Sequence, residues 1–213
     1  MSGMKFDIAM TDELLATTRA VRKRLDLSRP VPREIINECL ELAIQAPTGG
    51  NTQGWRWVIV EDADKKKQLA DLYRETAKDY LPAAAKQAEK RGDPQDARVF
   101  TSAMYLAEHM EEVPVHVIPC VMRPPEGIPA QSPGLYGSIF PAVWSFQRAL
   151  RARGLGATLT SLHLRKEKEA AALLGIPGDV MQVALLPVAY TLGTDFKRAK
   201  RAPLDQIVHW NQW

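Results

Sequence analysis

The chain alternates between stretches whose apolar residues recur at helical spacing and shorter runs of apolar, β-branched and aromatic residues. Helical spacing predicts helices over residues 11–18, 35–44, 64–81, 97–111, 138–153 and 166–174. The apolar runs predict strands over residues 55–60, 113–122, 157–164 and 180–188. Helices and strands in this irregular order predict an α+β fold, with a mixed or antiparallel sheet flanked by helices. No internal repeat or boundary interrupts the chain, so we expect a single domain over residues 1–213.

Three segments have no regular pattern. Residues 83–96 are polar, which predicts a mobile surface segment, and residues 124–133 hold four prolines and a glycine, which predicts a loop. The tail from residue 191 has no clear period, yet it ends with Trp210, Trp213 and two nearby aliphatic residues. A disordered end is rarely so apolar. We interpret the tail as an arm that buries its rings on a partner subunit, or alternatively on its own subunit.

Composition and charge exclude several classes of function. Hydrophobic residues make up 46% and charged residues 25% of the 213 residues, as in ordinary soluble domains. The net charge is only +3 and basic residues are interleaved with acidic ones, which argues against a nucleic-acid partner. No signal peptide or membrane-length apolar run is found, so we expect a cytoplasmic protein without a membrane partner. Cys39 and Cys120 are far apart in apolar contexts, which favours buried, reduced thiols over a metal site.

The segment 46–55 leads from a predicted helix to a predicted strand and is the strongest candidate for a binding loop. Pro47 restricts its own φ, whereas Gly49 and Gly50 permit conformations closed to other residues. The segment carries no charge, and its hydrogen-bonding side chains are Thr48, Asn51 and Gln53. Such a loop allows backbone and amide groups to approach a flat polar ligand. The alternative is an ordinary helix-to-strand turn, since Gly, Asn and Thr are common in turns.

Two basic segments could bind a phosphate group. The first spans residues 19–24 and contains Arg19, Arg22 and Arg24. The second spans residues 197–201 and contains Lys200 and Arg201. Guanidinium groups match phosphate oxygens through paired hydrogen bonds. The alternative for each segment is a solvated basic surface.

The motifs of common catalytic sites are absent from the sequence. It contains no GxSxG elbow, no Walker loop and no HExxH. Gly154-Leu155-Gly156 lacks a third glycine and follows a predicted helix, so we interpret it as a helix stop rather than a dinucleotide loop. None of the histidines has metal-ligand spacing, and we expect packing or surface roles for His109, His116, His163 and His209. Binding loops without an acid–base set favour an enzyme whose chemistry belongs to a cofactor.

In their order and spacing these segments resemble the nitroreductase family of FMN-dependent oxidoreductases. The resemblance covers nearly the whole chain. It rests on the Arg-rich segment 18–22, the loop 47–55, Gly154-Leu155-Gly156, the element 173–177 and the basic stretch before Pro203. Two motifs depart from the family pattern. Thr18 and Ala20 stand where many members have Arg and Ser, and Gly54 stands where the loop usually has Pro.

The resemblance implies an intertwined homodimer with an extended C-terminal arm and two FMN sites at the subunit interface. One subunit would contact the phosphate and ribityl chain through the segment that contains Arg19, Ala20 and Arg22. The same subunit would line the flavin ring with Thr158, Leu159, Thr160 and Ser161, and would complete the phosphate site with Lys200 and Arg201. The other subunit would supply Pro47, Thr48, Gly49, Asn51 and Gln53. The flavin would carry the chemistry, so neither a metal nor a catalytic side chain is expected.

The implied activity is reduction of a small electron-poor acceptor by NAD(P)H, the co-substrate, in a two-electron ping-pong scheme. The acceptor could be a nitroaromatic, a quinone, or an activated alkene or imine, and residues 83–96 and 127–137 would shape the pocket mouth. Other interpretations stay open. They are a flavin-binding carrier or sensor without redox turnover, an interaction protein without a cofactor, and a specialised family member that fragments flavin or dehalogenates an aromatic.

Overall fold

The computed structural model describes residues 6–124 and 132–213. Residues 127–131 of the predicted pocket mouth and the first residues of the N-terminus lie outside the described residues. The helices are α1 (Ile8–Thr17), α2 (Arg33–Ala43), α3 (Ala63–Ala77), α4 (Tyr80–Lys90), α5 (Pro94–Glu108), α6 (Pro133–Ala152) and α7 (Glu167–Leu174). The strands are β1 (Trp55–Val60), β2 (Val115–Met122), β3 (Leu155–Ala157), β4 (Val180–Gln182) and β5 (Leu186–Tyr190).

The strands form one sheet in the order β1-β2-β5-β3, in which β4 also pairs with β2. Every strand pair is antiparallel, so the predicted α+β class with an antiparallel sheet is confirmed. β2 is the central strand. It pairs with β1 along one edge, where Val58 lies opposite Ile118, and with β4 and β5 along the other edge.

Helices cover both faces of the sheet. Alternate residues of β2 point to opposite sides, so neighbouring residues of this strand enter different core clusters. Val117 packs into a core cluster that includes Ile36 of α2 and Phe146 of α6. Its neighbour Ile118 packs into a second cluster, which includes Tyr73 of α3 and residues of α5. All residues of β2 except the last are buried, as its continuous apolar sequence predicts.

Local sequence signals account for several helix ends. The side chains of Asp62 and Ser132 accept hydrogen bonds from the first-turn amides of α3 and α6. Asp93 does the same for α5, which begins with Pro94 in the first turn. α7 ends at Gly175, whose φ of 68° is left-handed.

The expectation of a mobile polar segment over residues 83–96 is wrong. α4 and the start of α5 occupy these residues, so the excursion between β1 and β2 holds three helices. Leu81, Ala85 and Ala88 are buried at spacings of four and three, and Pro82 is tolerated because it lies in the first turn. Alanine side chains are small and only weakly hydrophobic, so the helical spacing of these residues was not recognised among the surrounding polar residues.

Two predicted strands also differ in extent from the observed ones. The run 157–164 does not form a strand, because β3 ends at Ala157 and residues Leu162–Lys166 form a 3-10 helix. The run 180–188 is divided into β4 and β5, since Leu185 leaves the ladder and exchanges backbone hydrogen bonds with Thr160. Within the described ranges, no helix has the length and apolar character needed to cross a membrane.

Candidate functional site

The first basic segment is held against β3. After α1 the chain is extended, Ala20 forms a parallel bridge with Ala157, and the Val21 amide donates to the Ala157 carbonyl at 3.0 Å. Gly156 permits this close approach, because a Cβ there would lie 2.7 Å from Thr191 Cγ2 and 2.8 Å from Val21 Cγ2. The contact brings the segment that contains Arg19 and Arg22 beside the residues that follow β3.

Arg22 is half-buried and lacks an acidic partner. Its Nη1 lies 3.4 Å from Ser102 Oγ on α5, and burial lowers the pKa of its guanidinium. Among the described residues no carboxylate forms an ion pair with Arg22, and its titratable neighbour is Tyr73, a neutral phenol whose pKa burial raises. Because an uncompensated buried cation is costly, this position favours an anionic or electron-rich ligand.

The segment after β3 joins the same polar group. The Thr160 hydroxyl donates to Tyr73 Oη at 3.1 Å, and the Thr160 amide donates to Leu185 O at 3.0 Å. Thr158 is buried, and its hydroxyl has no hydrogen-bond partner in the described part of the chain. Leu159 and Ser161 are exposed. A buried hydroxyl without a partner indicates that a water or a ligand completes this site.

The loop that follows α2 is compact and strained. Residues Gly49–Asn51 form a 3-10 turn, and φ is positive at Gly50 (59°), Asn51 (52°) and Gln53 (47°). Thr48 Oγ1 accepts from the Gln53 amide at 3.2 Å, and the Gln53 side-chain amide donates to Asn51 Oδ1 at 3.0 Å. Left-handed non-glycine residues carry strain that surrounding contacts must hold, and such strain clusters at ligand sites.

Ser138 anchors this loop, although the sequence did not point to it. Its hydroxyl accepts from the Gly49 amide at 3.0 Å and donates to Gly134 O at 2.8 Å. The loop, the end of β2 and the start of α6 enclose a groove of about 470 Å³, lined by residues that include Trp55, Met122 and Leu135. Nothing in the local pattern of α6 marks Ser138, because its partner lies 89 residues earlier.

The two halves of the predicted site lie at opposite ends of α6. The loop contacts Ser138 near the start of this helix, whereas Arg19 borders a crevice with Gln147 and Arg151 near its end. At 1.5 Å per residue, Ser138 and Arg151 are roughly 20 Å apart along the helix axis. Within one subunit the structure therefore brings the Arg19–Arg22 segment together with residues 158–161, but does not bring the 47–53 loop to them.

The second basic segment is exposed. Lys200 and Arg201 lie on the tail, and the Arg201 guanidinium donates to Lys200 O at 3.1 Å. Beyond residue 196, the hydrogen bonds of the described residues stay within the tail. The described contacts of one chain therefore do not hold these two cations beside Arg19.

The fully buried histidines do not form part of this site. His116 Nε2 lies 2.8 Å from Met110 O, and neither ring nitrogen of His163 has a partner among the described residues. Burial lowers the pKa of each histidine to about 4. Both rings are therefore neutral near pH 7, which agrees with the packing roles expected from sequence. Cys39 and Cys120 are buried free thiols, as predicted.

Comparisons with known proteins identify relatives of this chain. The family model described as "Nitroreductase family" matches residues 15–190. Iodotyrosine deiodinase 1 of Rattus norvegicus is 29% identical over 203 residues, which cover 92% of this chain and 67% of the rat protein. An NADH dehydrogenase of Thermus thermophilus is 26% identical over 212 residues, which cover 92% of this chain and 97% of that protein.

Solved structures share the fold. The crystal structure of oxidized iodotyrosine deiodinase bound to FMN and 3-iodo-L-tyrosine superposes with a TM-score of 0.73 at 21% identity, over 95% of this chain and 99% of that one. The family match spans α1 to β5, and so includes the Arg19–Arg22 segment, the 47–53 loop and residues 158–161. From this match, and from a sheet and helices arranged as in solved relatives, it follows that the chain belongs to the nitroreductase family.

Proposed function

We propose that this protein is an FMN-dependent NAD(P)H oxidoreductase that delivers two electrons to a small electron-poor acceptor, such as a nitroaromatic or a quinone. The observation that carries the proposal is the half-buried Arg22, which has no carboxylate partner among the described residues. Arg22 lies on the segment that pairs with β3. The residue that follows β3 is Thr158, whose hydroxyl has no partner among the described residues. A cofactor with an anionic end and a polar ring would satisfy both groups.

The residues present fit FMN. Arg19 and Arg22 would hold its phosphate and ribityl oxygens through charge-assisted hydrogen bonds, and Lys200 and Arg201 would complete the phosphate site. Residues 158–161 would lie along the ring. The Thr160 amide already donates to Leu185, so the amide offered to a ring nitrogen would be that of Leu159 or Ser161.

When bound, FMN supplies hydride transfer at its N5 atom, so the protein has to orient and screen the ring rather than provide an acid or base. The side chain of Tyr73, which is bonded to Thr160, suits this role. Tyr73 keeps its proton because burial raises its pKa.

The active unit in this proposal is a homodimer with shared sites. Support comes from the separation along α6, because the 47–53 loop of one chain lies too far from Arg19 of the same chain to join it on one ring. A partner subunit would supply the loop instead, through Pro47, Thr48, Gly49, Asn51 and Gln53. The exposed apolar residues of the tail, which include Leu204, Ile207, Trp210 and Trp213, would be buried in the same interface.

Two spectra test the proposal. The purified protein should show oxidised flavin absorption bands, and anaerobic NADH or NADPH should bleach them. Steady-state rates with menadione as a quinone probe should then give parallel double-reciprocal lines, because donor and acceptor use the same space in turn. A protein that stays colourless when FMN is added refutes the cofactor assignment. Bound flavin that NAD(P)H does not reduce favours a carrier, a sensor or a different electron donor.

A second candidate function is reductive dehalogenation of an aromatic. The similarity to iodotyrosine deiodinases in sequence and in fold favours it. The test is iodide release from 3-iodo-L-tyrosine by the chemically reduced flavoprotein, compared with reduction of menadione by the same preparation. Stoichiometric iodide release would favour dehalogenation. Reoxidation of the reduced flavin by menadione, without any iodide release, would support the first proposal instead.

A further inference from the structure

Phe196 lies between two arginines at the base of the C-terminal tail. The guanidinium carbon of Arg24 is 4.3 Å from the centre of the Phe196 ring, and that of Arg151 is 4.8 Å from it. Arg24 is the last residue of the first basic segment, whereas Arg151 lies near the end of α6. Each cation is attracted to the ring face, so the ring joins two distant parts of the chain to the tail.

The same arginines fasten the residues just before Phe196. Arg24 Nε donates to Leu192 O at 2.8 Å, and Arg24 Nη2 forms an ion pair with Asp195 at 2.6 Å. Arg151 Nη2 donates to Thr194 O at 2.9 Å. These bonds hold the start of the tail in one place on the body of the subunit. The next described residues, from 197 onward, hydrogen-bond only within the tail.

The fastened end of the tail borders the first basic segment. Phe196 and Arg151 line a narrow crevice together with Arg19, Thr18 and Gly156. The run of cations begins at the next residue, Lys197, and ends at Arg201. Five residues reach at most roughly 17 Å when fully extended, so Phe196 limits where these cations can go. They can reach Arg19 without a large rearrangement of the body.

Among the described residues, the acids near the crevice do not balance its positive charge. Arg24 is paired with Asp195, but Arg19 and Arg151 have no ion-pair partner among the described residues. The Nε atom of Arg151 is buried without any hydrogen-bond partner in the same residues. Burial of an unpaired donor beside a second unpaired arginine is costly unless an anion lies nearby.

We propose that Phe196 is a positioning residue, which is held by Arg24 and Arg151 and directs the cations of residues 197–201 onto the phosphate that Arg19 contacts. The inference rests on the proposed FMN function. It assigns to the arm a role in binding the anionic end of the cofactor within its own subunit, in addition to any contact of the arm's apolar end with a partner. Phe196 itself does not touch the phosphate.

The test compares Phe196→Ala with Phe196→Tyr, which keeps a ring for both cations. FMN affinity is measured by flavin fluorescence titration, and release of the arm by the rate of trypsin cleavage within residues 197–201. Phe196→Ala should weaken FMN binding by roughly ten- to hundredfold, the size expected when charge-assisted hydrogen bonds are lost. It should also speed cleavage, whereas Phe196→Tyr should stay close to the wild type in both measurements.

A double-mutant cycle separates positioning from general damage. Replacing Lys200 and Arg201 with alanine should weaken FMN binding in the wild type, but should add little in Phe196→Ala, because the arm is already displaced. Additive losses overturn the proposal. Faster cleavage with unchanged FMN affinity overturns it too, as does weaker binding with unchanged cleavage. A wild-type protein that binds no FMN overturns the proposed function, and with it this inference, before any variant is compared.

Discussion

Gly156→Ala tests the contact that positions the first basic segment. Gly156 lies in β3, between Val21 on one side and Thr191 on the other. An added Cβ would lie 2.7 Å from Thr191 Cγ2, 2.8 Å from Val21 Cγ2 and 3.0 Å from Val21 Cβ. Carbon atoms normally approach to about 3.5–4.0 Å, so both neighbours would have to move.

Neither neighbour can move freely. The Thr191 Oγ1 atom lies 2.9 Å from Gly193 O and 3.2 Å from Gly154 O, and its one hydrogen can be donated to either carbonyl, which favours its present rotamer and therefore the position of its methyl group. Val21 is buried, and its amide is bonded to Ala157 O at 3.0 Å. Overpacking of such a site costs about 1–3 kcal/mol. For a chain of this length, that destabilisation should lower the melting temperature by roughly 2–12 °C.

Thermal unfolding followed by circular dichroism measures this effect, at fixed protein concentration and without added flavin. The matched control is Gly137→Ala in α6, where an added Cβ meets no atom within 4 Å. This control adds the same methyl group and should be neutral or stabilising by up to about 1 kcal/mol, since alanine favours helices. A Gly156→Ala protein that melts within 1 °C of the wild type refutes the argument from close approach.

Arg22→Ala, and likewise Arg19→Ala, should weaken FMN binding by about ten- to hundredfold, because each removes charge-assisted hydrogen bonds worth roughly 1.5–3 kcal/mol; full retention of flavin through dialysis would contradict either assignment. Removal of residues 204–213 should convert the proposed homodimer to monomers on size-exclusion chromatography with light scattering, because five exposed, large apolar side chains would be lost from its interface. An unchanged dimer would refute that role of the arm. The free energy of unfolding should fall as the pH drops from 6.5 towards 4. Burial holds the pKa of His116 and of His163 at about 4, so in this range the unfolded chain binds protons that the folded chain does not. Urea titrations check this, and His163→Met should reduce the slope; a slope that His163→Met leaves unchanged would show that this ring does not contribute.

Elements whose signals lie within a few residues were predictable. β1 has the bounds that its apolar run predicts, and the start of α3 follows from the Asp62 cap. The prediction failed where the signal was weak or misleading. Alanine-rich α4 looked polar, and residues 157–164 looked like a strand although Thr160 forms only a single bridge with Leu185. In the second case a contact with a distant residue, rather than local preference, decides the backbone.

For the candidate site too, residues with a local sequence signal were predicted and their distant partners were not. The 47–53 loop and the Arg19–Arg22 segment were found from residue types and order, which also carried the resemblance to the family. Their partners were not found. Ser138 for the loop, Ser102 and Tyr73 for the arginine segment, and Phe196 for the arm all act across long sequence separations. A local pattern carries no information about such pairs.

From the order of its residues alone, the chain specifies where helices begin, which runs enter the sheet, and which motifs belong to a flavin-binding family, because turns, caps and periodicity act over neighbouring residues. The tertiary structure decides properties that residues adjacent in sequence do not determine. In the described part of the chain, it half-buries Arg22 without an acidic partner and buries the Thr158 hydroxyl without a hydrogen-bond partner. It also places the two halves of the candidate site at opposite ends of α6. These properties depend on which distant surfaces pack together, and on the desolvation that packing imposes on each polar group.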